Sequence, residues 1–254
     1  MYSEDYLKSI ENTILCMDCN EFLSNIPDKW FDLLLTDPPY GGGGKEGAFS
    51  NGGNRFGGRF EKYDQMVAED IKCTRTGGQA WNHKYDDVQK ITDWDYAPPQ
   101  ETFNEMFRAS KNQIIWGGNY FDLPPTRCFN IWKKLTISEK FSMAMCEYAW
   151  TSFNQNAKLW EFAPQDLERF HKTQKPVELI AKQIELYSKP GDLILDCFSG
   201  SGTTAIAAHR LGRRFICVEL NPYYWRKSVE RLEKEKQQPS LFGTELKPEQ
   251  QNLF

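Results

Sequence analysis

Several kinds of sequence feature are absent from this chain. No apolar run approaches the length of a membrane span, and no secretory segment is recognisable. The charge is nearly balanced, with 31 Lys and Arg against 35 Asp and Glu, so any basic surface for nucleic acid must be local. The cysteines are scattered and number seven, which does not suggest a disulfide framework. These absences predict a soluble protein of the reducing cytoplasm, without a membrane partner.

Metal ligands are also scarce. The three histidines, His83, His171 and His209, are far apart in the sequence. Cys16 and Cys19 have the spacing of a CxxC motif, but no second ligand pair accompanies them. We therefore interpret these thiols as structural and predict no metal site.

The length of the chain bounds its domain organisation. A chain of 254 residues can form one large α/β domain or two small ones, and we favour one domain with insertions. We place a single domain at residues 1–236, with a glycine-rich and aromatic insertion at about 41–100 and a flexible tail at 237–254. The insertion begins with many glycines among arginines and phenylalanines, which is typical of a DNA-contacting arm or lid, or of a solvated linker.

The first forty residues predict a strand, a helix and a second strand. Thr13–Cys16 has the residues of a strand, and Asp18 precedes a helical pattern that its side chain would cap. Residues 31–36 form a short apolar run typical of a buried parallel strand. That strand ends directly before four residues, Asp37, Pro38, Pro39 and Tyr40.

The corner formed by residues 37–40 combines groups that suit a planar ligand bearing an exocyclic amine. The Asp37 carboxylate and the carbonyls around two prolines are acceptors, and Tyr40 offers an aromatic face. Ligands bind at the carboxyl ends of strands in open α/β sheets, which is where this corner should lie. From these residues alone, a Pro-Pro turn with a solvated acid and a packed tyrosine is an equal alternative.

Regular structure is predicted again from about residue 101. A helix covers about 101–110, Pro176 opens a second one, a third covers 204–211, and Asn221 caps a last helix. The strands at 128–132 and 147–153 are expected to be an antiparallel pair. The predicted strands of this part are 113–116, 128–132, 147–153, 193–196 and 215–218.

A glycine-rich loop follows the strand at 193–196. The loop contains Gly200 and Gly202, and Glu219 follows the next strand, where its carboxylate can accept both hydroxyls of a ribose. This arrangement predicts a nucleoside-cofactor site. The same glycines fit the looser dinucleotide fingerprint, so a dehydrogenase competes here, as does a glycine-rich turn without a ligand.

Together, three motifs resemble those of amino-group DNA methyltransferases that use S-adenosylmethionine. They are Asp37–Tyr40, Lys172–Pro176 and the loop Asp196–Thr203. The first precedes the loop, an order that resembles the β class, in which the sheet is a circular permutation of the usual methyltransferase sheet. The resemblance implies an α/β, circularly permuted Rossmann-like fold, with a mostly parallel sheet and one antiparallel strand near the edge. The strand before Asp18 would then neighbour the carboxyl-terminal strands.

The resemblance also assigns roles to single residues. Glu219 would hold the ribose of S-adenosylmethionine, and Asp18 would reach its adenine amine, unless Asp18 only caps a helix. Phe198 would pack on the adenine, and Thr173 and Lys175 would lie near the methionine end. The implied catalytic residues are Asp37, Pro38, Pro39 and Tyr40. The implied cofactor-binding residues are Asp18, Asp37, Thr173, Lys175, Asp196, Phe198, Ser199, Gly200, Ser201, Gly202, Thr203, Glu219, Leu220 and Asn221.

The implied reaction is methyl transfer to the N6 amino group of adenine in DNA. The nitrogen is a poor nucleophile because its lone pair is delocalised, so Asp37 and the Pro38 carbonyl would accept its hydrogens. The base would have to flip out of the duplex, and Tyr40 would stack on it. N4-methylation of cytosine, a non-catalytic binding protein with this fold and a nicotinamide dehydrogenase are the alternatives.

Double-stranded DNA is the implied partner, in the cytoplasm of a bacterial or phage-infected cell. Only about residues 154–171 are available for target recognition at its usual place, so the insertion, a second subunit of a homodimer or a short surface would read the bases. Basic residues at 55–62, 127–140 and 169–175 are candidate phosphate contacts.

Two segments of the tail, Gln238–Phe242 and Gln250–Phe254, share the spacing Gln-x-x-Leu-Phe. They resemble the pentapeptide with which bacterial replication proteins bind the sliding clamp, although Pro239 and Gln251 replace its usual aliphatic second residue. Two weak motifs on a dimer would gain avidity. A solvated tail, or one that packs its phenylalanines on its own core, is the alternative.

Overall fold

The computed structural model describes residues 1–41, 96–138, 144–164, 170–171 and 173–237. Residues 42–95, which make up most of the insertion predicted at about 41–100, lie outside the described residues, as do Lys172 and residues 238–254 of the predicted tail. The strands are β1 (Thr13–Cys16), β2 (Phe31–Thr36), β3 (Ser110–Trp116), β4 (Phe129–Lys134), β5 (Cys146–Thr151), β6 (Lys158–Phe162), β7 (Leu193–Asp196) and β8 (Arg214–Glu219). The helices are α1 (Glu4–Ser9), α2 (Cys19–Ser24), α3 (Gln100–Ala109), α4 (Val177–Tyr187), α5 (Thr203–Arg210) and α6 (Pro222–Gln237), with a 3₁₀ turn at Gly118–Tyr120.

The described strands form one sheet in the order β1-β8-β7-β2-β3-β5-β4-β6. Among them, β5 alone is antiparallel to its neighbours, β3 and β4, while all the others share one direction. The prediction of a mostly parallel sheet with one antiparallel strand near the edge is therefore confirmed. Thr13 of β1 lies opposite Ile216 of β8, so the first strand of the chain pairs with the last, as a circular permutation requires.

Sequence patterns located most of these elements but missed two. The helix α1 has six residues and buries only Leu7, and its start is capped by Ser3, whose hydroxyl accepts from the Tyr6 N–H at 3.2 Å. The edge strand β6 alternates half-buried and exposed side chains and pairs with β4. Both elements are short and only partly apolar, so neither produced a recognisable hydrophobic pattern.

Alternating apolar residues build a core on each face of the sheet. Leu33 and Leu35 of β2 pack in the cluster that includes α4, α5 and α6, whereas Leu34 packs in the cluster of α1, α2 and α3. All three side chains are at most 1% exposed, and burying each of them contributes about 2 kcal/mol. Because helices cover both faces, the carboxyl edge of the sheet is the place left for polar groups.

That edge collects the ends of several strands. Thr36, Asp196 and Glu219 end β2, β7 and β8, and Lys134 ends β4. Because β5 runs in the opposite direction, its beginning, with Glu147, lies at the same edge. In the described parts of the chain, no helix is long and apolar enough to cross a membrane.

Candidate active site

Asp37 lies directly beyond β2, and both of its carboxylate oxygens have partners. Oδ1 accepts a hydrogen bond from the Tyr40 hydroxyl at 2.6 Å, and Oδ2 forms an ion pair with the Lys175 ammonium. Pro38 and Pro39 restrict the backbone between Asp37 and Tyr40. The structure thus brings the predicted catalytic residues into one corner and adds Lys175, which sequence reasoning had placed with the cofactor.

Glu147 and Lys134 extend this ion pair into a chain of four charged groups. The Lys175 Nζ lies 3.3 Å from Glu147 Oε2, and Glu147 Oε1 lies 2.6 Å from the Lys134 Nζ. Lys175 also lies over the ring of Trp116, with its Nζ 4.9 Å from the centroid. Charges this far from water persist only when paired, so the four groups depend on one another.

Sequence reasoning placed Glu147 in a strand and gave it no role, and it named Lys134 only within a range of basic residues. The signal that could have identified Glu147 is its position at the start of an antiparallel strand. The first residues of such a strand lie at the edge of the sheet where the strands on either side of it, which run the other way, have their last residues. A glutamate there therefore lies at the same edge of the sheet as Asp37.

Burial and ion pairing shift the pKa values of these groups in opposite directions. Burial raises the pKa of Asp37 above its usual value, although Lys175 opposes the shift. Burial also disfavours the Glu147 carboxylate, but Lys175 and Lys134 outweigh it and lower the pKa of Glu147. Burial disfavours the Lys175 ammonium, but the two carboxylates outweigh it and raise the pKa of Lys175. Asp37 is consequently the more basic of the two carboxylates.

The Tyr40 ring packs between the corner and the residues that follow β3. It stacks on Tyr120 with ring centroids 4.9 Å apart and an interplanar angle of 25°. Its edge lies so close to Gly117 that an added Cβ would meet Tyr40 Cε1 at 2.1 Å. Burial and the Asp37 carboxylate raise the pKa of the Tyr40 hydroxyl, so this hydroxyl keeps its proton and donates a hydrogen bond to Asp37. Tyr120 therefore already stacks on the ring predicted to receive a base.

The glycine-rich loop between β7 and α5 is fixed by a carboxylate. Gly200 and Gly202 have φ values of +51° and +75°, in the region that favours glycine. The Glu219 carboxylate accepts from the N–H of Gly200 at 2.7 Å and from that of Asn221 at 2.8 Å. Burial raises the pKa of Glu219 in spite of these donors. Each carboxylate oxygen retains a lone pair that could accept from a ligand.

Asp196 connects the glycine-rich loop to the corner at residues 37–40. Its Oδ1 accepts from the Thr36 hydroxyl at 2.8 Å and from the Phe198 N–H at 3.1 Å. Thr36 directly precedes Asp37 in the chain. The Asp196 side chain is nearly inaccessible, and burial raises its pKa to about 6.

Three hydroxyl residues of the loop are held by the protein itself. The Ser199 N–H donates to a carbonyl at the end of β8, at 2.9 Å. The Thr203 hydroxyl lies 3.0 Å from the Ser201 hydroxyl and donates to the Lys175 carbonyl at 3.3 Å. Arg231 of α6 donates to the Ser201 carbonyl at 3.1 Å and to the Thr203 hydroxyl at 3.2 Å. These contacts tie the loop to Lys175 and α6.

The remaining predicted cofactor residues lie around this loop with different exposures. Asp18 caps α2, accepting from the N–H groups of its second and third following residues at 2.7 and 3.3 Å. Phe198 packs against the core, whereas the Leu220 side chain is 66% exposed. The Thr173 hydroxyl lies 3.2 Å from His171 Nδ1. Asp18, Phe198 and Thr173 therefore each have a structural neighbour of their own, whereas the Leu220 side chain is open to solvent.

His171 is a residue whose place sequence reasoning missed. Its buried ring lies against Tyr224, with centroids 4.3 Å apart. A Cβ added at Gly200 would lie 3.5 Å from the same ring. His171 therefore covers the glycine-rich loop, although in the sequence it stood out only as one of three dispersed histidines.

A protein-family model described as DNA methylase, with a name that specifies N6 and N4 methyltransferases, matches residues 74–230. The Type II methyltransferase M.HinfI of Haemophilus influenzae is 27% identical over 270 residues, which cover 93% of this chain and 73% of the relative. The Type II methyltransferase M2.MboI of Moraxella bovis is 25% identical, over 80% of each protein.

Solved structures show the same fold at lower identity. A protein of Thermus thermophilus described as a putative DNA modification methylase, in complex with S-adenosyl-L-methionine, is 20% identical with a TM-score of 0.50 and covers 88% of this chain and 93% of its own. The PvuII cytosine-N4-specific DNA methyltransferase is 16% identical with a TM-score of 0.54, over 88% of this chain and 89% of its own.

Gly117→Ala should disrupt the contact between Tyr40 and Asp37. The backbone at Gly117 has a φ of +67°, so alanine costs about 1–2 kcal/mol there. Displacing the Tyr40 ring adds about 1–3 kcal/mol. The control Gly191→Ala has a similar φ of +84° but open space around the new methyl group. Urea unfolding measures both variants, and equal losses of stability would show that Tyr40 does not pack as described.

Asp196→Asn should stabilise the protein above pH 6. Because the pKa of Asp196 is raised from 3.8 to about 6, the folded state binds this proton more tightly than the unfolded chain. Its contribution to the free energy of unfolding therefore falls as the pH rises from about 4 to 6. We expect the variant to gain up to about 3 kcal/mol at pH 7.5 and to show a flatter pH profile.

Denaturant unfolding at a series of pH values measures this effect. Asp5→Asn, on the exposed side of α1, serves as a control that should follow the wild-type profile. An Asp196→Asn variant that is less stable than wild type at pH 7.5, with the wild-type pH dependence, would contradict the burial cost assigned to Asp196.

Proposed function

The chain belongs to the DNA methylase family of N6 and N4 methyltransferases, and from this premise we propose that it methylates the N6 amino group of adenine at specific sites in double-stranded DNA. As a member of this family it is a DNA methyltransferase, and its methyl donor is S-adenosylmethionine. The adenine target, the site residues and base flipping are the parts that we propose.

One observation supports this proposal most strongly: Lys175 belongs to both halves of the site. Its carbonyl accepts from Thr203 of the glycine-rich loop at 3.3 Å, and its ammonium forms the ion pair with Asp37. A group bound at the loop and a base at the corner would therefore be close neighbours. Such proximity is what a direct transfer between two bound molecules requires.

The described residues fit S-adenosylmethionine. The Glu219 carboxylate is oriented by two backbone N–H groups and would accept the ribose hydroxyls. Asp196 and Asp37 provide negative charge suited to a cationic ligand, and the Lys175 backbone is bonded to the loop that would hold it. When bound, the cofactor supplies a methyl group that is already activated on a positively charged sulfur.

The task of the protein is then to orient and activate the target amine. Asp37 would accept one amine hydrogen and the Pro38 carbonyl the other, which draws the nitrogen lone pair out of conjugation with the ring. The nitrogen must lose a proton after it acquires the methyl group. Asp37 is suited to take that proton because its pKa is raised by burial.

The target amine must replace one of the present partners of Asp37. We propose that it displaces the Tyr40 hydroxyl from Oδ1. That hydrogen bond joins the carboxylate to a neutral donor, whereas the bond at Oδ2 is an ion pair with Lys175. A base stacked in a duplex cannot reach a carboxylate at this edge of the sheet, so the base would flip out. Tyr40, freed from Asp37, would then stack on it, as the family resemblance implies.

N4-methylation of cytosine is the second candidate, and it uses the same amine chemistry. The amino-acid sequence of the corner, Asp37-Pro38-Pro39-Tyr40, favours adenine. A cytosine-N4-specific enzyme nevertheless shares the fold. Nucleoside analysis of the product is therefore part of the test.

Asp37→Ala should abolish methyl transfer. The variant loses the acceptor for the amine, and we expect the rate of label transfer from S-adenosylmethionine to mixed genomic DNA to fall at least about a hundredfold. Asp5→Ala, an exposed substitution on α1, should transfer at the wild-type rate. Label in N6-methyladenine supports the proposal, label in N4-methylcytosine supports the second candidate, and full activity of Asp37→Ala contradicts the mechanism.

We also propose, from the sequence alone, that the two tail motifs bind the bacterial sliding clamp and that a homodimer strengthens this binding. Replacing Leu241, Phe242, Leu253 and Phe254 by alanine should reduce capture on purified clamp at least about tenfold, because these side chains are the apolar anchors. Leu246→Ala, between the motifs, is the matched control. Equal capture of all variants would refute clamp binding without affecting the methylation proposal.

A further inference from the structure

Glu147 lies in the catalytic corner, yet the proposed reaction gives it no task. It is the second residue of β5, and its carboxylate bridges two lysines, with Oε1 2.6 Å from Lys134 and Oε2 3.3 Å from Lys175. Lys175 thus stands between two carboxylates, those of Asp37 and Glu147. When Asp37 also binds the target amine, the Lys175 ammonium depends more strongly on its second carboxylate.

The side-chain exposures show that water alone cannot solvate the two ammonium groups. Lys175 is 6% exposed and Lys134 10%, and Asp37 and Glu147 are each 24% exposed. The network contains two ammonium groups and two carboxylates, so it is neutral as a whole. When Asp37 also binds an amine through Oδ1, it holds the Lys175 ammonium less firmly through Oδ2, so that ammonium needs a second anion within reach.

We propose that Glu147 is a positioning residue that retains the Lys175 ammonium while Asp37 exchanges Tyr40 for the target amine. This inference rests on the proposed function of Asp37. Lys134 balances the charge of Glu147, so the Glu147–Lys134 pair acts as a fixed counter-ion for Lys175. Asp37 is then the mobile acceptor, and the Lys175 ammonium stays in place between the cofactor loop and the corner.

Without the charge of Glu147, Lys175 would have Asp37 as its remaining carboxylate. The ion pair between them would tighten, and Asp37 would become a weaker acceptor for the amine. The charge of Glu147 also raises the pKa of Asp37, so its removal should lower that pKa. The other ionisable groups that act on Asp37 are Lys175 and Tyr40, and Asp196 lies near it across β2 and β7.

Glu147→Gln tests this role, because glutamine keeps the shape of the side chain and removes its charge. We expect kcat to fall about tenfold or more, with little change in the KM for DNA, because the loss affects the amine and not the duplex contacts. The acid limb of the pH profile of kcat should move to lower pH. Glu147→Asp, which keeps the charge but withdraws it from Lys175, should give an intermediate kcat and keep the wild-type acid limb.

The matched control is Glu161→Gln on β6. Glu161 pairs with Lys133 of β4 at 2.7 Å, and both side chains are about half exposed. It is the same substitution in the same sheet, outside the corner, and it should retain the wild-type kcat and pH profile. Thermal unfolding of all variants shows that they are folded at the assay temperature. Should Glu147→Gln fail to fold, Glu147→Asp decides, since a wild-type kcat in that variant would overturn the proposal.

The outcomes separate the inference from the function on which it rests. A wild-type enzyme that transfers no methyl group to DNA would contradict the proposed function, and the inference with it. Active wild-type enzyme with a Glu147→Gln variant that matches Glu161→Gln in kcat and acid limb would overturn the inference alone. A Glu147→Gln variant with a lower kcat but an unmoved acid limb would show a purely structural role and would also overturn it.

Discussion

The ion pair between Lys175 and Asp37 is the interaction on which the rest of the site depends. The lysine backbone is bonded to the glycine-rich loop, and its side chain reaches the corner beyond β2, so one residue fixes the distance between both halves. Its charge is buried and is balanced by two carboxylates instead of one. Moving the loop would therefore disturb the corner, and protonating a carboxylate would disturb the loop.

This arrangement has a cost in stability that fits a functional role. Burial raises the pKa values of Asp37, Asp196 and Glu219, so keeping these carboxylates ionised at neutral pH opposes folding. A chain selected for stability alone would place apolar or amide side chains here. The cores on the two faces of the sheet supply the stability that offsets these charges, and a cationic cofactor would offset part of the cost when it binds.

Sequence patterns predicted the parts of the molecule in which local residues decide the structure. The apolar runs of β2 and β7, the cap at Asp18 and the glycines at 200 and 202 each carry a local signal. The pairings that create the site, such as Glu147 with Lys175 and Tyr40 with Tyr120, join distant parts of the chain, and no local pattern specifies them. The direction of β5 could have suggested Glu147, because an antiparallel strand begins at the edge where its neighbours end.

The most direct test of this account is a crystal structure of the protein with S-adenosylhomocysteine and a duplex containing its target site. We predict that the amine of an extrahelical base contacts Asp37 and the Pro38 carbonyl, that the Tyr40 hydroxyl has left Oδ1, and that Lys175 remains within ion-pair distance of Glu147. A complex in which Asp37 keeps both Tyr40 and Lys175, while the target amine contacts other groups, would contradict it.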